Sequence, residues 1–506
     1  GYDVTSGAQN VLIGGEAGTN FTTADRNIAV GAAALQTATI GDSNVAVGDN
    51  AGWSATTASG SVIIGMDTGN TITTGNMNIA IGHDAMSGGT VTGDNNIAIG
   101  RSSGDALTSG KENVFIGGNA GGAVTTTTRL VYIGHEAGAA NANGLGNTGV
   151  GWKALKQYDL EHTNTAIGAE AMSGAGASNS CVAIGNETLA GSTTSDADGT
   201  VAIGFKAANS ITSGQGNTAV GYHALKVEDD GDFNTAIGYE ALVAQTGVTG
   251  TVGNTAVGYQ AGKAVTSGTE DTFIGYKAGL ATTTGLYNTV VGSQAFFTNV
   301  DGDHNTVIGY AALYSFEASS DGNGKNVAIG ANASFHLDSG TENTMVGTSA
   351  GQSVAGTITY AQNVAVGSSA MLDMTQGQGN VAIGYETLRE NQTGDDNIMI
   401  GRTAGKGVNG NSPNKNIGIG HDSLYAITTG LGNVMIGDLS GAALTSGTEN
   451  VGIGSGSLNK VTDSLENTAV GALSGYNITT GDLNTAIGYK ALYTEDAGNQ
   501  AVAIGD

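Results

Sequence analysis

The 506-residue chain has 86 glycines, one proline and 12% charged residues, and its 44 acidic and 17 basic side chains give a net charge of −27. Scarce charge and proline exclude a disordered linker, and glycine without a triplet period excludes collagen. The acidic balance argues against a nucleic-acid partner, because phosphates would be repelled. The single cysteine, Cys181, excludes an intrachain disulfide framework.

One short phrase, closed by a glycine, is repeated along the whole chain. There are 29 copies, from Gly14 to Gly505, and 22 of the 28 spacings between these anchor glycines equal 17 residues. The other six run from 18 to 21. Repeats of this kind indicate a solenoid. The sequence therefore predicts one continuous repeat region over residues 1–506. Because the chain starts at Gly1 and stops inside a phrase, we expect it to be a segment of a longer fibrous protein.

Within each copy, positions are numbered here from the anchor glycine. Position −1 is Ile or Val and position −3 is Val, Ile or Thr in every copy, whereas position −4 is Asn in 23 of 29. β-Branched residues two positions apart are typical of a strand with one specified face. Stacked copies predict an all-β fold, a parallel β-solenoid or β-roll of about 29 coils. Its asparagines would form a buried amide ladder that bonds to the turn backbone.

Positions −2 and +4 vary together in size. Position −2 is large in 10 copies, and in 8 of those 10 position +4 is glycine. All three copies with glycine at −2 carry leucine at +4. Since protein interiors are close-packed, this pattern predicts that the two side chains share one cavity inside the coil.

The opposite strand face is an unbroken column of Ile, Val and Thr. On a lone solenoid this column would form an apolar stripe larger than soluble monomers tolerate. Strands that are apolar on both faces are buried on both faces. An identical stripe is its natural partner, so the sequence predicts a parallel homo-oligomer.

The phrases "NTAIGYEAL" (234–242), "NTAVGYQAG" (254–262) and "NVAIGYETL" (380–388) carry a family resemblance. They resemble repeats of phage tail-fibre proteins that end in an intramolecular chaperone, and the head repeats of trimeric autotransporter adhesins. The resemblance spans Gly14 to Gly505 and implies a trimeric β-roll located outside the cell, on a virion tail fibre or a bacterial surface. The period is longer than in the adhesin heads, and the chain contains neither a chaperone domain nor a membrane anchor.

Few residues are candidates for recognition. Tyr222, Tyr239, Tyr259 and Tyr276 follow four consecutive anchor glycines and could form a sugar-binding platform or a packing ladder. The longer spacings add loops at 190–200, 243–253, 314–325, 351–362 and 405–415. The last contains the only proline, Pro413, and loops on a rigid scaffold often carry recognition.

Metal and catalytic signals are weak. The loops 228–234, 301–305 and 393–397 are rich in Asp and could hold calcium, but Asp and Gly also suit tight turns. No other cofactor is indicated. The seven histidines lie in different coils, no Ser/His/Asp group stands out, and the acidic residues are scattered through turns. We therefore expect a protein that is not an enzyme.

The leading functional hypothesis is a structural and adhesive fibre segment that projects a receptor-binding tip. Its partners would be further copies of itself and a cell-surface glycan or protein receptor, with no membrane span in this segment. An ice-binding or glycan-binding β-solenoid is the alternative, because regular threonine arrays can order water and aromatic faces suit sugars.

Overall fold

The computed structural model describes residues 5–157, 162–174, 176–194, 197–316, 324–353, 358–408, 410–494 and 496–506. The chain divides into two compact units, Gly1–Gly253 and Asn254–Asp506. The described residues contain strands and turns but no α-helix. The prediction of one repeat region over 1–506 stays a prediction.

The first unit is a β-solenoid built from short parallel strands. Successive three-residue strands pair in register, one coil apart, so that Val11 faces Ile28 and Ile13 faces Val30. Two further strands, from the turns, pair with each other. The strands are β1 Val11–Ile13, β2 Ile28–Val30, β3 Val45–Val47, β4 Val62–Ile64, β5 Ile79–Ile81, β6 Ile97–Ile99, β7 Val114–Ile116, β8 Val131–Ile133, β9 Thr148–Val150, β10 Thr165–Ile167, β11 Val182–Ile184, β12 Val201–Ile203, β13 Thr218–Val220, β14 Gly231–Asp232, β15 Thr235–Ile237 and β16 Gly250–Thr251.

The second unit repeats this architecture. Its strands also pair in parallel and in register, as Thr272 with Thr289 and Ile274 with Val291. They are β17 Thr255–Val257, β18 Thr272–Ile274, β19 Thr289–Val291, β20 Thr306–Ile308, β21 Val327–Ile329, β22 Thr344–Val346, β23 Val364–Val366, β24 Val381–Ile383, β25 Ile398–Ile400, β26 Ile417–Ile419, β27 Val434–Ile436, β28 Val451–Ile453, β29 Thr468–Val470, β30 Thr485–Ile487 and β31 Val502–Ile504. Among the described residues, 29 strands have the three-residue form. The predicted all-β parallel solenoid of 17-residue coils is confirmed.

The anchor glycines have a steric reason for being invariant. Their φ angles lie between 122° and 147°, a region that side chains rarely adopt. A Cβ placed on Gly48 would lie 2.2 Å from the carbonyl oxygen of Gly65, the next anchor along the stack. Any side chain here would push two coils apart, so only glycine fits.

The interior of each coil confirms the size relation between positions −2 and +4. A Cβ placed on Gly138 would lie 2.4 Å from the Tyr132 ring, and one on Gly279 would lie 2.2 Å from the Phe273 ring. The same contact, at 3.1 Å or less, holds for the other six glycines of this kind: Gly18, Gly69, Gly121, Gly351, Gly405 and Gly441. The two positions share one cavity, as predicted.

The same compensation also acts between coils, which the sequence interpretation missed. A Cβ on Gly149 would lie 3.1 Å from the ring of Tyr132, which occupies position −2 of the preceding coil. Gly418 and Gly452 stand in the same relation to Met399 and Met435, whose sulfur atoms would be 2.5 Å from the added Cβ atoms. Glycine at −2 therefore makes room for a large residue in the coil before it.

Candidate functional site

The buried asparagines form the predicted ladder. The backbone N–H of Asn96 donates to Asn78 Oδ1 at 2.9 Å, and Asn96 Nδ2 donates to the carbonyl of Gly110 at 2.9 Å. In turn, Asn113 N–H donates to Asn96 Oδ1 at 3.1 Å. Because buried amides need partners, each asparagine fixes the turn before the next strand. The column has a structural role.

A second polar ladder lies two residues earlier, at position −6, and runs the opposite way. There the side chain accepts a backbone N–H from the preceding coil, as when Asp25 N–H donates to Asp42 Oδ1 at 2.7 Å. Asp94 accepts from Asn76 N–H at 2.8 Å, and this bond is the main reason that the pKa of Asp94 lies below its usual value. The acidic turn residues are thus rungs between coils.

This ladder accounts for one aspartate in each of the three loops considered for calcium. Asp232, Asp303 and Asp395 each accept a backbone N–H from the preceding coil, at 2.9, 2.8 and 2.9 Å. In loop 228–234, Asp230 also accepts from the hydroxyls of Thr212 and Ser213, which lower its pKa. The turn interpretation is therefore favoured over calcium.

Among the described residues, one group of three potential metal ligands has converged: Asp67, His83 and Asp84. This group was not predicted from the sequence, in which the seven histidines lie in different coils. A signal was present, because "GMD" at 65–67 and "GHD" at 82–84 share one phase of the repeat.

One aspartate replaces asparagine in the buried ladder. Asp271 Oδ1 accepts from the N–H and Nδ2 of Asn288 at 2.7 and 3.0 Å, whereas Oδ2 has no hydrogen-bond partner. Burial raises the pKa of Asp271 to about 8. A protonated carboxyl can imitate the asparagine amide by donating from Oδ2, which an ionised one cannot do.

The tyrosine column is a ladder of stacked rings. Tyr222 and Tyr239 in the first unit have centroids 4.9 Å apart at an interplanar angle of 7°, and Phe205 continues the stack at 5.4 Å. In the second unit, Tyr259 and Tyr276 are 5.3 Å apart at 12°. In each pair, one face of each ring is turned to the other ring. This geometry favours the packing ladder over the sugar platform, which needs exposed faces.

Pro413 is buried and belongs to the scaffold. Its carbonyl accepts a hydrogen bond from Asn397 Nδ2 at 2.7 Å, the bond that a glycine carbonyl receives in other coils. Of the longer-spacing loops, 243–253 is described throughout and contributes β16. Residues 195–196, 317–323, 354–357 and 409, within the other four, lie outside the described residues.

Asp373 and Glu390 form a hydrogen-bonded pair, whereas the sequence suggested that the acidic residues are scattered through turns. Burial, followed by the charge and hydrogen bond of Glu390, raises the pKa of Asp373 to about 6. Glycosidases that retain configuration hold their two carboxyl groups about 5–5.5 Å apart, with the sugar between them. A hydrogen-bonded pair leaves no such space, so this pair gives no support to a glycosidase activity.

Threonines at position +8 form a further ladder. The hydroxyls of Thr22, Thr39 and Thr56 donate to backbone carbonyls of the next coil at 2.9, 3.2 and 3.1 Å. Hydroxyls used in this way are less suited to ordering ice, so the arrangement does not favour the ice-binding alternative.

The outward strand face of each unit carries exposed apolar side chains. At position −1, Ile167 and Ile237 of the first unit are 41% and 39% exposed, and Ile274 and Ile487 of the second unit are each 40% exposed. Position −3 on the same face is Val, Ile or Thr, half-buried or exposed. The two columns form a strip of Ile and Val side chains, with Thr at position −3 in 11 of the 29 copies.

Comparison with models of known protein families finds no match, and no curated protein is significantly similar to the chain. Among the described residues, no helix has the length and hydropathy required to cross a membrane.

Proposed function

We propose that the chain is a structural and adhesive fibre segment, a parallel homotrimer on a virion tail fibre or a bacterial surface. It would hold a receptor-binding region away from its base, and a glycan or protein receptor would be the distal partner. The resemblance of the repeated phrases suggests a fibre protein of this kind. Because no family model matches the chain, the proposal has to be tested by measuring how the chain assembles.

The outward columns at −1 and −3 carry the proposal. They continue through every described coil of each unit, and contiguous exposed apolar surface above a few hundred Å² marks an interaction site. Because the columns keep the period of the backbone, a partner must present apolar groups at the same spacing. An identical chain in parallel orientation meets this requirement directly.

The test is the solution mass of the chain, measured by light scattering and sedimentation. We expect three times the chain mass of 49.9 kDa. Replacing Ile203 and Ile237 by lysine places charges in the column and should shift the mass toward one chain.

Phe233→Lys provides the matched control, because Phe233 is an exposed apolar residue at position −5 of the same coil as Ile237. This variant should keep the wild-type mass. A wild-type chain that is monomeric at micromolar concentration would contradict the proposal, as would equal dissociation of the control.

A further inference from the structure

Three metal-ligating side chains from two consecutive coils converge on the surface of the first unit. Asp67 and Asp84 both occupy position +2, and His83 occupies position +1. Strands β4 and β5 pair in register, so equivalent residues lie one strand spacing apart, about 4.8 Å. One ligand atom from each of the three residues lies within 4.8 Å of the other two.

The orientation of these groups is already restricted. His83 Nδ1 lies 2.6 Å from Asp84 Oδ2, and Asn50 Nδ2 donates to Asp67 Oδ1 at 2.9 Å. The backbone of Asp67 and Asp84 is held in the left-handed region, with φ of 54° and 58°. The bond from Asn50 comes from outside the group, and outer hydrogen bonds of this kind orient ligands in metal sites.

In comparable copies of the repeat, a basic side chain lies beside the histidine or its neighbouring acid. Histidine at +1 is followed by an acid in three copies, at His83, His135 and His421. The guanidinium of Arg402 contacts the imidazole of His421, and Lys156 Nζ lies 2.7 Å from Glu136. The positions equivalent to Arg402 and Lys156 beside His83 are occupied by Met66 and Asp105.

The nearest base in the column is Arg101, at position +1 of the following coil. Arg101 lines a concave notch together with Gly118 and His135, farther along the stack. At His83, therefore, the acid–imidazole arrangement remains, and Met66 and Asp105 replace the bases that accompany the other two copies. The remaining base of the column, Arg101, lies one coil further on, on the side of His83 away from Asp67.

We propose that Asp67, His83 and Asp84 bind a divalent transition-metal cation, with Zn²⁺ as the representative, and thereby join two consecutive coils. Two carboxylate oxygens and one imidazole nitrogen are a mixed donor set that suits Zn²⁺, Co²⁺ or Cu²⁺. Ca²⁺ and Mg²⁺ prefer oxygen ligands throughout. The site faces solvent, so water completes the coordination, and the cation replaces the hydrogen bond between His83 and Asp84.

Calorimetric titration of the full chain, prepared without a histidine tag, tests the proposal with Zn²⁺ alone. We expect one equivalent of Zn²⁺ per chain, and at least tenfold weaker affinity in both His83→Gln and Asp67→Asn. His421→Gln is the matched control and should bind like the wild type. Ca²⁺ should bind far more weakly than Zn²⁺.

A measurement on the unaltered chain guards against variants that fold poorly. Zn²⁺ should protect His83 from diethylpyrocarbonate, read by mass spectrometry, while His421 is modified at an unchanged rate. Equal affinity of His83→Gln and wild type would overturn the proposal, and so would equal modification of His83 with and without Zn²⁺.

Discussion

Ordinary side chains occupy the left-handed backbone region at positions −5, +2 and +4. Met77, Asp84 and Leu155 are examples, with φ of 55°, 58° and 53°. This conformation costs about 1–2 kcal/mol for a residue with a Cβ, so the ladders on either side must compensate. These positions could not be predicted from the sequence, because their residue types do not mark them.

Because positions −2 and +4 share one cavity, adding a single methyl group at position +4 should have a large effect on stability. Gly138→Ala should destabilise the protein by about 1–3 kcal/mol, because the added Cβ would meet the rigid ring of Tyr132 at 2.4 Å. The loss is measured as a change in the free energy of unfolding by urea denaturation.

Gly475→Ala is the matched control. Its φ is 57° against 58° for Gly138, but its neighbours are the flexible ends of Leu458 and Ile478. We expect a much smaller loss there. The double substitution Tyr132→Ala with Gly138→Leu recreates the alanine–leucine pairing that six other coils carry, and it should recover stability. Equal losses at Gly138 and Gly475 would show that backbone strain, and not shared space, decides the effect.

At the scale of the element, the strand and the asparagine ladder were predictable because both repeat a residue type at a fixed phase. The opposing ladder at −6 was not, since Asp, Asn, Ser and His all serve there as acceptors, as His162 Nδ1 does for Leu145 N–H at 2.8 Å. The direction of a hydrogen bond depends on backbone geometry, and residue identity alone does not reveal it.

The aspartate in the buried ladder makes stability depend on pH. The pKa of Asp271 is about 8 in the folded state, against 3.8 for an ordinary aspartate, so between these values only the folded state retains the proton. Stability should therefore fall by about 1.4 kcal/mol per pH unit as pH rises from about 4 to about 8, and no further above that.

Asp271→Asn removes this titration and restores the amide donor. Its stability should match the wild type near pH 4 and exceed it increasingly up to about pH 8, measured by chemical denaturation at several pH values. The reverse change, Asn433→Asp, should create a second such dependence, since Asn433 Nδ2 donates to Gly447 O at 2.7 Å. Parallel pH profiles for wild type and Asp271→Asn would contradict the assignment.

At the scale of the whole molecule, each described coil bonds mainly to the coils before and after it. The stability of such a stack is close to a sum of coil and neighbour contributions. Deleting residues 209–225 from the first unit should be tolerated, because the deletion pairs Ala202 with Ala236, and alanine faces alanine as before.

Deleting residues 139–155 is the matched comparison of equal length. It removes Gly149 and sets Tyr132 against Ala166, so we expect this chain to melt at a clearly lower temperature than the first deletion. Thermal unfolding followed by circular dichroism compares the two. Equal melting temperatures would show that the contact between neighbouring coils is not limiting.

The period and the columns thus predicted the architecture, because they describe what every coil does. The cluster of Asp67, His83 and Asp84 escaped prediction because it belongs to a single pair of coils. Such a site depends on the side chains that two particular copies bring together. A residue pattern taken over all the copies does not show it.

The contact between position −2 of one coil and glycine of the next has an evolutionary consequence. Repeat arrays gain and lose units by recombination, and an exchange that separates Tyr132 from Gly149, Met399 from Gly418 or Met435 from Gly452 would require the large residue to repack, as Met345 must beside Ala365. Selection would then act on the contacts between neighbouring coils as well as on single coils. Related sequences should show covariation between one coil and the next, in addition to covariation across the six residues from −2 to +4.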